Sequence, residues 1–443
     1  MIFIKNVSPF VKICLTFAVV ILIGTLLLML PISVNEGYDS LNFVDALFMS
    51  TTSVCVTGLT VVSNIGLEIS IFGKVVLALL IEIGGLSFIT IFTFFIVIMG
   101  GKIGISNRFL LKESLNSNSL KGIVGLIKKI IFTALIIQAL GFILNCCAFM
   151  SYSPDPMTTI GVALFHTVAS FNNSGLDIFG VLNVPGNMSM VPFSADVFIN
   201  INTMLLIILG GLGFSVIDDI IHKRRWKKLS VNTKIVLITT VCLIFGGAIF
   251  LKIANHNNTW LECFLMSVSS RTAGFQSIPC ESLNTGEFCV INFLMFVGAS
   301  PGSTGGGIKT TTFFVIIVTL IAYALGKKTV VFKRQIPNSV IFKSFALAIT
   351  AIVFCCLAIF IICLIDPNLG VDRIIFEVIS AFSTTGLTMG LTTSLSWGSR
   401  LVIIFMMYFG RLGPLTVLSL INKNWKTGSE NGIKYVEEKV VIG

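Results

Sequence analysis

Long apolar runs and short ones alternate along the chain in a fixed order, and the alternation predicts the elements. Runs 13–30, 123–149, 233–254 and 340–365 are about as long as the 20 residues a helix needs to cross a bilayer. Each is followed by a shorter apolar run, at 41–52, 158–169, 260–269 and 372–381, too short to span. A second long run closes each set, at 72–99, 195–221, 288–325 and 401–421. The pattern predicts an all-α membrane protein of eight spanning helices and four half-helices. It divides into four repeats at 1–101, 102–222, 223–326 and 327–443, the last including a C-terminal tail. Pro31 stops the first run, and a polar insertion at 181–194, with Pro185, Gly186 and Pro192, lengthens the second repeat.

The repeats align on one glycine each: Gly58, Gly175, Gly274 and Gly386. A phenylalanine stands ten residues before each (Phe48, Phe165, Phe264, Phe376), and a large apolar residue follows (Leu59, Leu176, Phe275, Leu387). A small residue precedes each: Thr57, Ser174, Ala273 and Thr385. Self-similarity at a period of roughly 110 residues is an architectural signal. Glycine adopts φ > 0 without steric cost, so a short extended segment with such a turn can aim successive carbonyl oxygens to one side. Four segments about an axis would form a ring of oxygens able to replace the water around a small cation. The segments are Val54, Cys55, Val56, Thr57 and Gly58; Phe171, Asn172, Asn173, Ser174 and Gly175; Ser270, Arg271, Thr272, Ala273 and Gly274; and Phe382, Ser383, Thr384, Thr385 and Gly386. The half-helices would point their C-terminal ends, each carrying roughly half a negative charge, at that axis.

Composition agrees. The chain is 55% hydrophobic and 11% charged, against about 25% charged in soluble domains. Its net charge of +10 marks topology rather than nucleic-acid binding. Basic residues cluster at Lys102–Lys129, Lys223–Lys234, Lys327–Lys343 and Lys423–Lys439, whereas the alternate links carry Glu36, Asp39, Asp45, Glu68, Asp155, Asp177 and Glu281. By the distribution of Lys and Arg, both termini and the basic links face the cytoplasm, beside anionic lipid, and the outer acids would concentrate cations at the mouth. The first run, after Lys5 and Lys12, reads as a retained helix rather than a signal peptide. Eleven cysteines include no C-x-x-C pair; Cys280 and Cys289, on the outer side, can pair. His166, His222 and His256 share no ligand spacing and read as structural or solvated.

Glycine-rich breaks interrupt the second long run of every repeat, at 83–86, 209–213, 298–307 and 409–414. In three of them small residues suit close helix packing. In the third, Gly298 and Ala299 lead into Ser300, Pro301, Gly302, Ser303, Thr304, Gly305, Gly306 and Gly307, too rich in glycine to stay helical. Such backbone must be buried in protein or line a water-filled cavity, and a polar loop below a cation site reads as a gate. Arg411 is the basic residue deep in the fourth repeat's second run. At roughly 2.5–3.5 kcal/mol for a guanidinium at mid-bilayer, it should find acceptors, either in the 300–307 loop or at Glu82, and latch the gate. Arg271 stands three residues before Gly274, with Glu262 or Glu377 as available partners. No catalytic His/Cys/Asp cluster or dinucleotide fingerprint occurs, so nothing suggests an enzyme. An alternating-access symporter is the competing class, since broken helices suit it.

Four helix–half-helix–helix repeats with one glycine each, the break in the third, and GRLGPLT at 410–416 resemble the Trk/Ktr/HKT superfamily, most closely the membrane subunit of bacterial Ktr systems. The resemblance covers essentially the whole chain. It implies potassium uptake, often sodium-dependent, by a homodimer in the bacterial cell membrane with one pore per protomer, and a cytoplasmic ring of KtrA-like, nucleotide-binding RCK subunits. K+ is the transported ion and Na+ a second candidate, with no organic cofactor in this chain. The resemblance also places Gly58, Gly175, Gly274 and Gly386 on the family's filter glycines, the 300–308 loop on its gate, and Arg411 on the gate's arginine. No TVGYG occurs, and Glu82 stands where a neutral residue is expected.

Overall fold

A computed structural model describes residues 9–99, 123–153, 155–182 and 189–413. Repeat one holds α1 (Pro9–Leu28), α2 (Phe43–Val54), α3 (Ile71–Leu86) and α4 (Phe88–Ile98). Repeat two holds α5 (Ile123–Phe149), α6 (Pro156–Phe171), α7 (Val197–Gly211) and α8 (Phe214–Lys223). Repeat three holds α9 (Val231–Ala254), α10 (Trp260–Ser269), α11 (Thr285–Phe296) and α12 (Thr310–Ala324), followed by a hairpin of two-residue strands, Val330–Val331 and Arg334–Gln335. Repeat four holds α13 (Asn338–Ile365), α14 (Val371–Ser383) and α15 (Trp397–Leu412).

Among the described residues, four helices are long and apolar enough to cross a membrane singly: α1, α5, α9 and α13, the first of each repeat. The second long runs are not continuous: the third opens at its glycine-rich stretch as expected, and the other three, read as close helix packing through small residues, also break. Run 72–99 breaks at Ser87, whose φ is +67°. Run 195–221 bends by 95° between α7 and α8 at Gly213, φ +90°. Run 288–325 opens into a loop, and α15 ends at Gly413, φ +82°. Ser87 and Gly213 lie three residues beyond Gly84 and Gly210, and Gly413 lies three beyond Gly410. The three breaks therefore recur at one register, with extended ψ each time (125°, 134° and 144°).

Three of the four short helices start at sequence-encoded side-chain caps. The Asn42 side chain accepts from Asp45 N–H at 2.9 Å, which moves the start of α2 to Phe43. Asp155 caps α6 through Met157 and Thr158, with Pro156 at the first helical position. The Thr158 hydroxyl and backbone N–H hold the exposed Asp155 carboxyl below its usual range. Thr259 and Glu262 form a capping box on α10.

In repeats one to three the short helix is then fixed to the first helix of its repeat by a polar tie. Ser50 Oγ donates to Ile21 O at 2.7 Å, Asn145 Nδ2 donates to Thr167 Oγ1 at 2.8 Å, and Ser267 Oγ donates to Ile244 O at 2.7 Å. Close approach is possible because the first helices of these three repeats carry notches. A Cβ on Gly24, Gly141 or Gly247 would meet Leu80 at 2.7 Å, Leu206 at 2.6 Å or Leu294 at 2.7 Å. Each leucine stands four residues before its repeat's break glycine, so the three helices of a repeat lock at a shared level.

At the polar ends, Lys129 pairs with Asp218 at 3.1 Å and Lys223 with Asp219 at 2.6 Å. Asp45 is bonded by Arg400 of α15, so this acid does not stand free to gather cations. The basic residues at 102–121 and 423–439, Pro185 and Gly186 of the insertion, Pro414, and the stretch of the last run beyond 413 lie outside the described residues.

Candidate functional site: a glycine ring over a glycine loop

The four short helices end side by side, and the chain leaving each takes one conformation. Two residues before every conserved-spacing glycine the backbone turns left-handed: Val56 (φ +56°), Asn173 (+60°), Thr272 (+89°) and Thr384 (+53°). At the glycine it does so again: Gly58 (+103°), Gly175 (+72°), Gly274 (+77°) and Gly386 (+93°). A β-branched residue at φ > 0 is costly, and Val56, Thr272 and Thr384 accept it under restraint from the helix ends. Thr57 N–H donates to Thr52 O at 2.8 Å, Ser174 N–H to Ala169 O at 2.7 Å, Ala273 N–H to Ser269 O at 2.8 Å, and Thr385 N–H to Ser380 O at 2.9 Å.

The four glycines touch in sequence order and close on themselves. A Cβ on Gly58 would collide with Ser174 O. One on Gly175 would lie 2.7 Å from Ala273 O, one on Gly274 would strike Thr385 O, and one on Gly386 would strike Thr57 O. Each glycine therefore abuts the carbonyl of the residue preceding the next glycine, and no side chain fits at any of the four. All twenty residues of the four segments are buried. The phenylalanines and large apolar residues of the repeat signature pack behind them: Phe48, Phe376, Leu59 and Phe275 are fully buried.

The break glycines serve the same ring. A Cβ on Gly84 would collide with Val54 O, on Gly210 with Phe171 O, and on Gly410 with Phe382 O. Each of those carbonyls lies four residues before a ring glycine, at the C-terminal end of a short helix. The three breaks are thus seats for helix ends, more specific than the general small-residue packing read from the sequence. In repeat three Gly298 faces Gly306 O instead, because the loop occupies the place of a continuing helix.

The loop lies directly against three of the segments. Thr304 Oγ1 approaches Phe171 O at 3.5 Å, Gly306 N–H donates to Thr384 Oγ1 at 2.9 Å, and a Cβ on Gly305 would collide with Thr272 Oγ1. Ser300 N–H donates to Gly211 O at 3.2 Å, and Phe214 N–H to Gly302 O at 3.1 Å. Arg411 donates through Nη1 to Thr304 O and through Nη2 to Gly84 O and, at 3.3 Å, Gly85 O. Of the two acceptor sets considered for Arg411, the loop is therefore the one used.

Glu82 is not Arg411's partner: its carboxylate accepts from Asn172 Nδ2 at 2.6 Å and from Gln138 Nε2 at 3.1 Å to each oxygen. It supports the second segment from behind, and its assignment as a gate partner falls. Sequence reading missed Lys309, whose Nζ donates to Gly305 O at 2.6 Å; the signal was a lone lysine directly after the GGGI run. Beneath the loop a cavity of about 650 Å³ is lined by Pro301, Gly302, Ser303, Lys309 and Arg411, with Arg334 and Lys343 also at its wall.

Two further expectations are corrected. Cys280 is buried and Cys289 exposed, and both are free thiols. Neither Glu262 nor Glu377 meets Arg271: Glu262 is held by Thr259, and Glu377 accepts from the hydroxyls of Thr388 and Thr392. His166 is buried with Nε2 2.9 Å from Thr203 Oγ1, whereas the His222 ring lies 3.1 Å from Asp218, which fits the structural and solvated roles read for them.

Comparison with known proteins follows the same lines. The TrkH cation transport protein family matches residues 2–235 and 228–430. The chain is 35% identical to the Ktr system potassium uptake protein B of Bacillus subtilis, over 96% of this chain and 95% of that one. It is 36% identical to the potassium/sodium uptake protein NtpJ of Enterococcus hirae, over 99% and 98%. The crystal structure of the potassium transporter TrkH from Vibrio parahaemolyticus superposes with a TM-score of 0.73 at 17% identity, over 96% of this chain and 87% of that chain. A helical membrane protein whose relatives of similar length are potassium uptake proteins, this chain belongs to the Trk/Ktr cation transporter family, on its KtrB-like side.

Proposed function

We propose that this chain is the ion-conducting subunit of a potassium uptake system, channel-like, with four helix–half-helix–helix repeats set about a central axis in pseudo-fourfold symmetry. The observation that carries the reading is the closed cycle of glycines, each against the carbonyl of the residue before the next. In this reading the twenty segment residues are the selectivity filter, and their carbonyls replace the hydration shell of K+. The C-terminal ends of α2, α6, α10 and α14 favour a cation there. The 300–307 loop, held at Thr304 by Arg411 and at Gly305 by Lys309, is the gate. Relatives named for potassium and for potassium/sodium uptake support K+ as cargo and leave Na+ as cargo or modulator.

The test is growth of a potassium-uptake-deficient bacterium at limiting K+, with serine placed singly at Gly58, Gly175, Gly274 and Gly386. Wild type should rescue growth, and each serine should weaken rescue or admit Na+. Rescue by all four variants with unchanged ion preference would refute the filter. In the same reading the subunit is a multi-pass protein with its basic ends cytoplasmic. It pairs as a homodimer and works with a cytoplasmic ring of nucleotide-binding RCK-type subunits.

A further inference from the structure

Arg271 occupies the position three residues before the ring glycine in repeat three. The other repeats place Cys55, Asn172 and Ser383 there, all neutral, so one quadrant of four carries a charge. The residue is 8% exposed, follows the end of α10, and its Nε has no hydrogen-bond partner among the described residues. Among the described residues no carboxylate forms an ion pair with it; Glu262 is held by Thr259 and Glu377 by Thr388 and Thr392. Its side chain lines a cavity of about 10 Å³, shared with Asn173 of the second segment and Thr240 of α9. Asn173 Oδ1 and Thr240 Oγ1 are also buried without hydrogen-bond partners among the described residues. That volume is about what one water needs, and three polar atoms are enough to hold it; a carboxylate or phosphate would not fit.

An unpaired buried charge is costly, and the polar group nearest in the chain is the C-terminal end of α10, with its partial negative charge. From this juxtaposition we propose that Arg271 is an affinity-setting residue for the transported cation, and that one buried water joins it to Asn173. Its charge offsets the half-helix end in one quadrant, so three ends rather than four attract the ion in full. Conduction requires binding weak enough for release, and Arg271 supplies that weakening from behind the ring.

The inference rests on the filter reading, and the test separates the two. Rb+ uptake kinetics are measured in proteoliposomes for wild type, Arg271→Gln, Arg271→Met and Arg271→Lys, with dispersity in detergent as the folding check. Removing the charge should lower KM about tenfold, or about 1.4 kcal/mol, while Arg271→Lys stays within about twofold of wild type. Methionine is included because replacing a buried charge by an apolar residue of similar volume is often tolerated. An unchanged or raised KM in the neutral variants would overturn the proposal. So would misfolding of both beside a folded lysine variant, because the charge would then be structural. Rescue with unaltered ion preference by all four glycine-to-serine variants would instead refute the filter itself, whatever Arg271 does.

Discussion

The Arg411 guanidinium ties its own helix, α15, to the 300–307 loop and to α3. Its Nη1 holds Thr304 of the loop, and its Nη2 holds Gly84 and Gly85 of α3. Arg411→Gln removes the fork while leaving the ring untouched. It should raise K+ flux in proteoliposomes severalfold at an unchanged K+/Na+ ratio, and equal flux would remove the latch from the mechanism. Glu82 predicts a different outcome. With three hydrogen bonds ending on its carboxylate, Glu82→Leu strands the Asn172 and Gln138 amides at about 1–3 kcal/mol. Thermal unfolding in detergent should register that loss. A residue that sat in the gate would change flux and leave the unfolding midpoint alone.

At the scale of elements, the seats under the helix ends make sharper predictions than the helices themselves. Gly410→Ala drives a Cβ into Phe382 O, so α15 must withdraw from α14. The expected cost is about 1–3 kcal/mol together with lost ion preference. Gly246→Ala, one residue from the α9 notch, meets nothing within 4 Å and should instead stabilise by up to about 1 kcal/mol through helix propensity. Equal behaviour of the two variants in a thermal melt would deny the seats. The short helices were legible in the sequence because each is a brief apolar run, and three of the four carry their own side-chain cap. The first helices were legible because an uninterrupted apolar run of that length has few alternatives. In repeats one, two and four the glycines were read as packing sites rather than chain breaks because those breaks depend on partners: Ser87 is an ordinary residue until the α2 end, docked on Gly84, requires the chain to turn. The Arg411 acceptors and the role of Glu82 were undecidable for the same reason. Hydrophobic periodicity reports faces, and these contacts join residues more than 50 positions apart.

For the molecule as a whole, the proposed topology puts the α8–α9 link and the 327–334 turn on the cytoplasmic side, and Asp39 and Glu281 on the other. Cysteine replacements at Lys227 and Lys328, in a background lacking the exposed native cysteines, should react with an impermeant maleimide only after cells are opened. Replacements at Asp39 and Glu281 should react in intact cells. Labelling of Lys227→Cys from outside would invert the topology. Mass measurement of the detergent-purified protein should give twice the chain mass if the homodimer forms, and a single-chain mass would remove it.

The cycle of Gly58, Gly175, Gly274 and Gly386 is drawn from one polypeptide, so its quarters are inherited together but mutate separately. In an assembly of four identical chains, any exchange beside the axis is imposed four times over, and a lone arginine would become a ring of four. Here each position can be tried once, with the remaining three quarters carrying the function in the meantime. A single covalent chain thereby opens to evolution a set of lopsided ion sites that identical subunits can never sample.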